Sequence, residues 1–267
     1  MPPGPWRTSD DTVMAAVLVE HLLAHGRVDQ DALALAFARA YAEEPERGYG
    51  AVACWILTRI GEGEPWREIA KKPFGGTGSM GNGGAMRVAP LGAWCADDIT
   101  AAVRAAVLSA EVTHAHPEGQ AGAAAVAAAA VYAWRARRDP AAARPAEALE
   151  LVVRHTPDGP TKRGLREATR LLDASPDRAA QALGDGSEVT SPDTVPYAIW
   201  CAVTSIGDYS EALWRAMSGL LSPGADRDTV CAIVGGIVAL ATGSAGIPAA
   251  WLTAREPLGW RRPTSNG

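Results

Sequence analysis

Cysteine is scarce in this 267-residue chain. Cys54, Cys95, Cys201 and Cys231 lie far apart, and no two form a C-x-x-C pair. That excludes a disulfide framework and a soft-metal or redox motif, and leaves free thiols suited to a reducing cytosol. A basic excess is missing too. The formal net charge is -5, which argues against direct nucleic-acid binding through phosphate neutralisation. Arg far outnumbers Lys, but this follows the heavy Ala content rather than a phosphate-binding surface. The N-terminal Met1-Pro2-Pro3-Gly4-Pro5-Trp6 has no charged-then-apolar targeting pattern. No long apolar run is unbroken. Thr229–Ala254 carries one uncharged stretch, but Gly235-Gly236, Gly243, Gly246 and Pro248 interrupt it. It reads as a buried helix, a loop and a second segment, not a membrane span. Few stretches alternate β-branched and aromatic residues at period two, so a sheet is not expected.

What remains is helix. Hydrophobic residues make up 48% and charged residues 21% of the chain, a globular balance. Met14, Val17, Leu18, His21 and Leu22 recur at helical spacing. Further helices are predicted over 31–42, 51–60, 99–108, 121–136, 146–154, 164–172, 195–204, 209–220 and 229–241. The Ala-rich 121–136 should cross the middle of the bundle, because small side chains let backbones approach closely. Long loops fall at 61–85 and 184–192, and long glycine-rich loops are common places for binding sites.

Four groups of residues carry chemistry. Thr8-Ser9-Asp10-Asp11-Thr12 precedes one apolar helix, and Gly224-Ala225-Asp226-Arg227-Asp228-Thr229 precedes another. Each reads locally as a capped helix start, with acids where the macrodipole favours them. Brought together, four carboxylates would need protonation, arginines such as Arg7 and Arg227, or a hard cation. Oxygen-only ligands suit Mg²⁺, Mn²⁺ or Ca²⁺ and not zinc. The third group is the run Gly75 to Arg87. It contains Gly76-x-Gly78-x-x-Gly81, but Lys71-Lys72-Pro73-Phe74 before it is not a buried strand, so no dinucleotide-binding βαβ unit is present. Exposed backbone N–H groups, with a helix beginning near Asn82, would suit a phosphate or diphosphate. The fourth is Thr113-His114-Ala115-His116. No third His or Cys stands near it to complete a metal site, and Ser109 has no hydrolase signature around it.

Taken in order, these motifs resemble the ADP-ribosylglycohydrolase family over about residues 8–257. The matching residues are Ser9-Asp10-Asp11-Thr12, Gly78 through Pro90, Ser109 with Thr113-His114 and His116-Pro117, and Gly224-x-Asp226-x-Asp228-Thr229. Val195-Pro196-Tyr197-Ala198 and Ile247-Pro248 with Trp251 also fit. The Gly-Asn-Gly-Gly-Ala-Met-Arg run is the specific part. The resemblance implies one all-α domain over 1–267 with a central metal-containing cleft, usually holding two Mg²⁺ ions. It implies hydrolysis at the anomeric carbon of an ADP-ribosyl group. Ser9, Asp10, Asp11, Asp226, Asp228 and Thr229 would ligate metal. Gly78, Ser79, Met80, Gly81, Asn82 and His114 would contact ADP-ribose. Asp10 or Asp11 would take the proton from water.

The departures set an alternative. Family members begin with a Gly-x-x-x-Gly-Asp-Ala-x-Gly helix and a following acid, and this chain starts only a few residues before Ser9. Ala225 replaces a glycine, Arg227 brings a positive charge among the acids, and Met80 stands where some relatives carry an aromatic. A catalytically impaired member that binds ADP-ribose or serves a structural role is the alternative these departures support. A Mg²⁺-dependent phosphohydrolase would share the carboxylates but not explain the Gly78–Arg87 run.

Overall fold

Prolines and aspartates mark where the chain turns into helix. Pro stands in the first turn of five of the long helices, where its missing N–H costs nothing. Asp29, Asp98, Asp208 and Asp226 each accept a backbone N–H at a helix start. The computed structural model describes residues 3–258. Its helices are α1 (Asp10–His25), α2 (Gln30–Glu43), α3 (Ala51–Gly61), the single turns α4 (Trp66–Ile69) and α5 (Pro73–Gly76), α6 (Pro90–Trp94), α7 (Ile99–Glu111), α8 (Pro117–Ala136), α9 (Pro145–His155), α10 (Pro160–Ala168), α11 (Pro176–Leu183), α12 (Ser191–Thr204), α13 (Tyr209–Gly219), α14 (Arg227–Thr242) and α15 (Ala249–Ala254). Among the described residues there is no strand, only the isolated bridges Trp6–Arg255 and Gly81–Thr190. The all-α expectation therefore holds. No helix of the described residues is long and apolar enough to cross a membrane.

Helix α8 is the axis of the molecule. Residues 123–131 are fully buried, and α6, α7, α9, α12 and α14 pack around it. An alanine surface gives little transfer free energy per residue but lets neighbours come close enough for dense dispersion contact. Gly92 of α6 touches α8 so closely that a Cβ there would stand 2.4 Å from the Ala130 Cβ. Gly122 lies against the start of α12, where a Cβ would come within 2.4 Å of Ser191 Oγ.

The two ends of the described chain are tied beside α1. The Trp6 N–H donates to the Ala254 carbonyl, and the Glu256 N–H donates to the Trp6 carbonyl. The Glu256 carboxylate accepts from the Thr8 N–H and hydroxyl at 2.7 Å each, and from Arg47. Those Thr8 donors, then Arg47, hold Glu256 down at a pKa of about 2. The Arg47 carbonyl in turn accepts the Asp10 N–H at 2.8 Å. The strap thus fixes the residues that open α1.

Several expected boundaries move. Helix α11 falls where none was expected, started by Ser175-Pro176-Asp177. The helix expected over 164–172 is α10, begun earlier at Pro160 because proline presets the first turn. Ser191 and Pro192 open α12 and are not loop. The segment 61–85 contains short helical turns. Near Asn82 there is only a three-residue 3-10 turn, Asn82–Gly84, so no α-helix dipole end stands there. The stretch after Thr229 breaks as expected, with α14 ending at Thr242 and α15 starting at Ala249. The expected domain bounds 1–267 run past the described residues at both ends.

Candidate functional site

Helices α1 and α14 touch, and their first turns bring the two acid pairs into electrostatic reach. Asp10 and Asp11 are buried, Asp226 is half-buried and Asp228 is exposed. Burial above all, then the charges of Asp11 and Asp228, raise the Asp10 pKa to about 7. Burial raises Asp11 to about 6; the Ser9 hydroxyl opposes this, Asp228 and Asp226 add to it, and Thr229 opposes it weakly. Burial also raises Asp226, against a hydrogen bond from Asn82. No described ion pair neutralises any of the four.

Ser9 occupies the N-cap position of α1 but does not cap it with its side chain. Its hydroxyl donates to Asp11 Oδ2 instead. The other Asp11 oxygen, Oδ1, is buried and makes no hydrogen bond. Thr229 is buried one turn into α14, and its N–H donates to Asp226 Oδ1 at 3.3 Å. Arg227 turns away from the acids: its Nη2 donates to the carbonyls of Leu220 at 2.8 Å and Ser222 at 3.0 Å. Ala225 keeps a negative φ, so the missing glycine imposes no strain. Among the described residues no three His, Cys, Asp or Glu side chains are placed so that together they could hold a metal ion. The acids gather within reach of one another and stop there.

The glycine segment joins this cluster through Asn82. Its Nδ2 donates to Asp226 Oδ2 at 2.7 Å and to Thr194 Oγ1 at 3.0 Å. Gly78 has φ +78°, and a Cβ there would meet His116 N at 2.7 Å. Not all of the segment's amides are available. Those of Gly78, Gly81 and Asn82 already donate to Lys71 and Pro73 carbonyls, Ser79 Oγ and the Val189 carbonyl. The N–H groups of Ser79 and Met80 make no hydrogen bond among the described residues, while the Met80 carbonyl accepts from Ser191. The Met80 side chain is exposed.

His114 stands behind this segment. A Cβ on Gly81 or on Gly83 would lie 3.2 Å from His114 Nε2. Burial, then the charge of Arg87, push its pKa down to about 3, so it is neutral at physiological pH. His116 does other work: its Nδ1 accepts the Glu118 N–H at the start of α8. The two histidines therefore form no metal pair.

Four further residues belong to the site, of which only Gly186 lies in a segment, the 184–192 loop, expected from the sequence to serve binding. Gly186, with φ +81°, carries the 184–190 loop over Asp226, where a Cβ would stand 2.7 Å from the Asp226 Cβ. Gly48 passes beside Asp10. Tyr49 is buried with its hydroxyl unpartnered, and Asp10 is among the charges that raise its pKa. Thr194 anchors Asn82 from α12.

The chain matches the family model described as ADP-ribosylglycohydrolase over residues 1–263. It is 30% identical to mouse ADP-ribosylhydrolase ARH3, covering 93% of this chain and 74% of that one. The human ARH3 is 29% identical, with 93% and 76% covered. An uncharacterized protein of Archaeoglobus fulgidus is 30% identical, with 93% and 75% covered. A solved structure described as an ADP-ribosylglycohydrolase-related protein complex superposes with a TM-score of 0.67 over 96% of this chain and 78% of that one, at 24% identity. That likeness bears on the fold.

Proposed function

The chain belongs to the ADP-ribosylglycohydrolase family, enzymes that hydrolyse glycosidic bonds, and from that premise we propose that it is a Mg²⁺-dependent hydrolase releasing ADP-ribose from an ADP-ribosylated protein or related conjugate. The observation that carries the reading is that four carboxylates from two distant helix starts come within electrostatic reach, with no ion pair to any of them among the described residues. The donor set fits a hard divalent ion. It is all oxygen, and the buried Asp11 Oδ1 lacks a partner. Ser9, Asp10, Asp11, Asp226, Asp228 and Thr229 would hold one or two Mg²⁺ or Mn²⁺ ions. Bound there, they supply positive charge that favours ionised carboxylates and polarises sugar and water oxygens.

The chain's own residues then divide the work. The free Ser79 and Met80 amides, with Gly78, Gly81, Asn82 and His114, hold the ADP-ribose. Asp10, or Asp11 beside it, accepts a proton from the attacking water as an ionised carboxylate at the start of α1. The water oxygen bonds to the anomeric carbon as the bond to the leaving group breaks. The negative cluster favours the oxocarbenium-like charge of that transition state. Arg227, the residue that favoured a silent binder, points away from the acids. Four free thiols suit the cytosol, and no membrane or nucleic-acid partner is proposed.

The direct test is incubation with ADP-ribosylated protein and Mg²⁺. Free ADP-ribose that disappears on chelation is expected. Phosphate as product, or no turnover, would overturn the reading. A second expectation concerns the segment itself. Gly78→Ala forces an L-residue to positive φ against the His116 backbone, a strain of about 1–3 kcal/mol. KM should rise roughly tenfold with a smaller change in kcat, since the acids sit on other elements. An unchanged KM would show that the segment does not hold substrate.

A further inference from the structure

Arg87 is fully buried, yet no carboxylate touches it. Its guanidinium lies over the Phe37 ring at 4.4 Å. Its Nη2 donates to the Ser109 carbonyl at 2.6 Å and to Thr113 Oγ1 at 3.0 Å, and Nε donates weakly to Ser109 Oγ at 3.4 Å. Burial pulls its pKa down to about 9, so it remains a cation at neutral pH. The charge of Asp10 favours the cation from a distance, without a hydrogen bond, and the residue that Arg87 reaches next is informative. Thr113 Oγ1 is 2.8 Å from His114 Nδ1, and the threonine is itself buried.

The direction of this chain can be worked out from donor and acceptor capacity. Arginine has no acceptor, so Arg87 donates and Thr113 Oγ1 accepts. Oγ1 has one proton of its own to place, and its only other partner among the described residues is His114 Nδ1. If Nδ1 carried the ring proton, the threonine hydroxyl would be buried with no acceptor, at a cost of about 1–3 kcal/mol. The hydroxyl therefore donates to a bare Nδ1. A neutral imidazole with a bare Nδ1 carries its proton on Nε2. Nε2 makes no hydrogen bond among the described residues, and it faces Gly81 and Gly83.

We infer that Arg87 and Thr113 are positioning residues that fix His114 as the Nε2–H tautomer, so that the imidazole presents a single uncharged donor to a ligand oxygen held at the glycine segment. At its Nε2 edge the ring then accepts nothing and repels no cation, and it selects an oxygen acceptor there over a donor. The choice of ADP-ribose as that ligand rests on the function proposed above; the tautomer does not.

The test is ¹⁵N NMR of histidine-labelled full-length protein at pH 7, with the His114 signals assigned by their loss in His114→Asn. Wild type should show an unprotonated Nδ1 and a protonated Nε2 without any ligand. Thr113→Val should abolish that preference and weaken ADP-ribose binding roughly tenfold by calorimetry, whereas Thr113→Ser should restore both. A wild-type proton on Nδ1, or an unchanged tautomer in Thr113→Val, would overturn the inference. The wild-type spectrum decides the first point even if the valine variant does not fold. A correct tautomer in a protein that binds no ADP-ribose would instead refute the functional reading.

Discussion

Asp11→Asn should release no measurable ADP-ribose, a fall of at least about 10³-fold, and should melt at a higher temperature than the wild type when both are free of metal at pH 8. The two effects share one cause. Asp11 is buried, its Oδ1 has no hydrogen-bond partner, and Asp10, Asp226 and Asp228 surround it with like charge. An amide in its place removes a charge that the fold does not compensate. The same change removes a ligand from the proposed cation site and a base from the reacting water. Sites built for binding charge are often costly to stability in this way. Steady-state release of ADP-ribose and thermal melting after chelation measure the two halves. Retained full activity would refute the mechanism. A lower melting temperature would show that the acids are stabilised by something other than a cation.

The second expectation is a reversal of the pH dependence of stability by Mg²⁺. Asp10 and Asp11 ionise at about 7 and about 6 in the folded chain, against roughly 3.9 in an unfolded one. Between those values the folded state binds more protons than the unfolded state, so stability falls as pH rises. His114 acts oppositely. Its folded pKa of about 3 lies below the unfolded value of about 6.5, so its contribution is lost as pH falls below 6.5. The clean window is therefore pH 6.5 to 8, where Asp10 dominates. Metal-free protein should lose a few degrees of melting temperature across it, about 1 kcal/mol for a chain of this size. Cation binding needs the ionised carboxylates. Added Mg²⁺ at about 100 times its Kd should stabilise by about 2.7 kcal/mol at pH 8, and by much less at pH 6. Differential scanning fluorimetry with and without chelator reads both slopes. Parallel curves would mean that these acids do not hold the ion.

Much of the site could be read in advance because its residues are adjacent in sequence. Asp10-Asp11 and Asp226-x-Asp228 stand before apolar helical runs, and Gly78 to Arg87 is a continuous segment. Local rules do less well where a side chain has two uses. Ser9 has the composition of a cap, but next to Asp11 its hydroxyl finds a stronger acceptor in the carboxylate than in a helix N–H. Asn82 invited an α-helix start, and its side chain serves Asp226 and Thr194 while the backbone makes one tight turn. Arg227 sits between two acids in sequence, yet helix geometry sends its side chain to the 220–222 turn.

By itself the sequence determined the helical class, the Ala-rich central helix, and the residue types available for charge and hydrogen bonding, because periodicity, capping and chemistry are local properties. Tertiary structure alone decided that α1 meets α14, that the Gly186 and Gly48 backbones close over the acids, and that Arg87 is buried behind His114. Those outcomes depend on packing around α8, where the size of a side chain on one helix sets how near another can come, and no window of neighbouring residues contains that information.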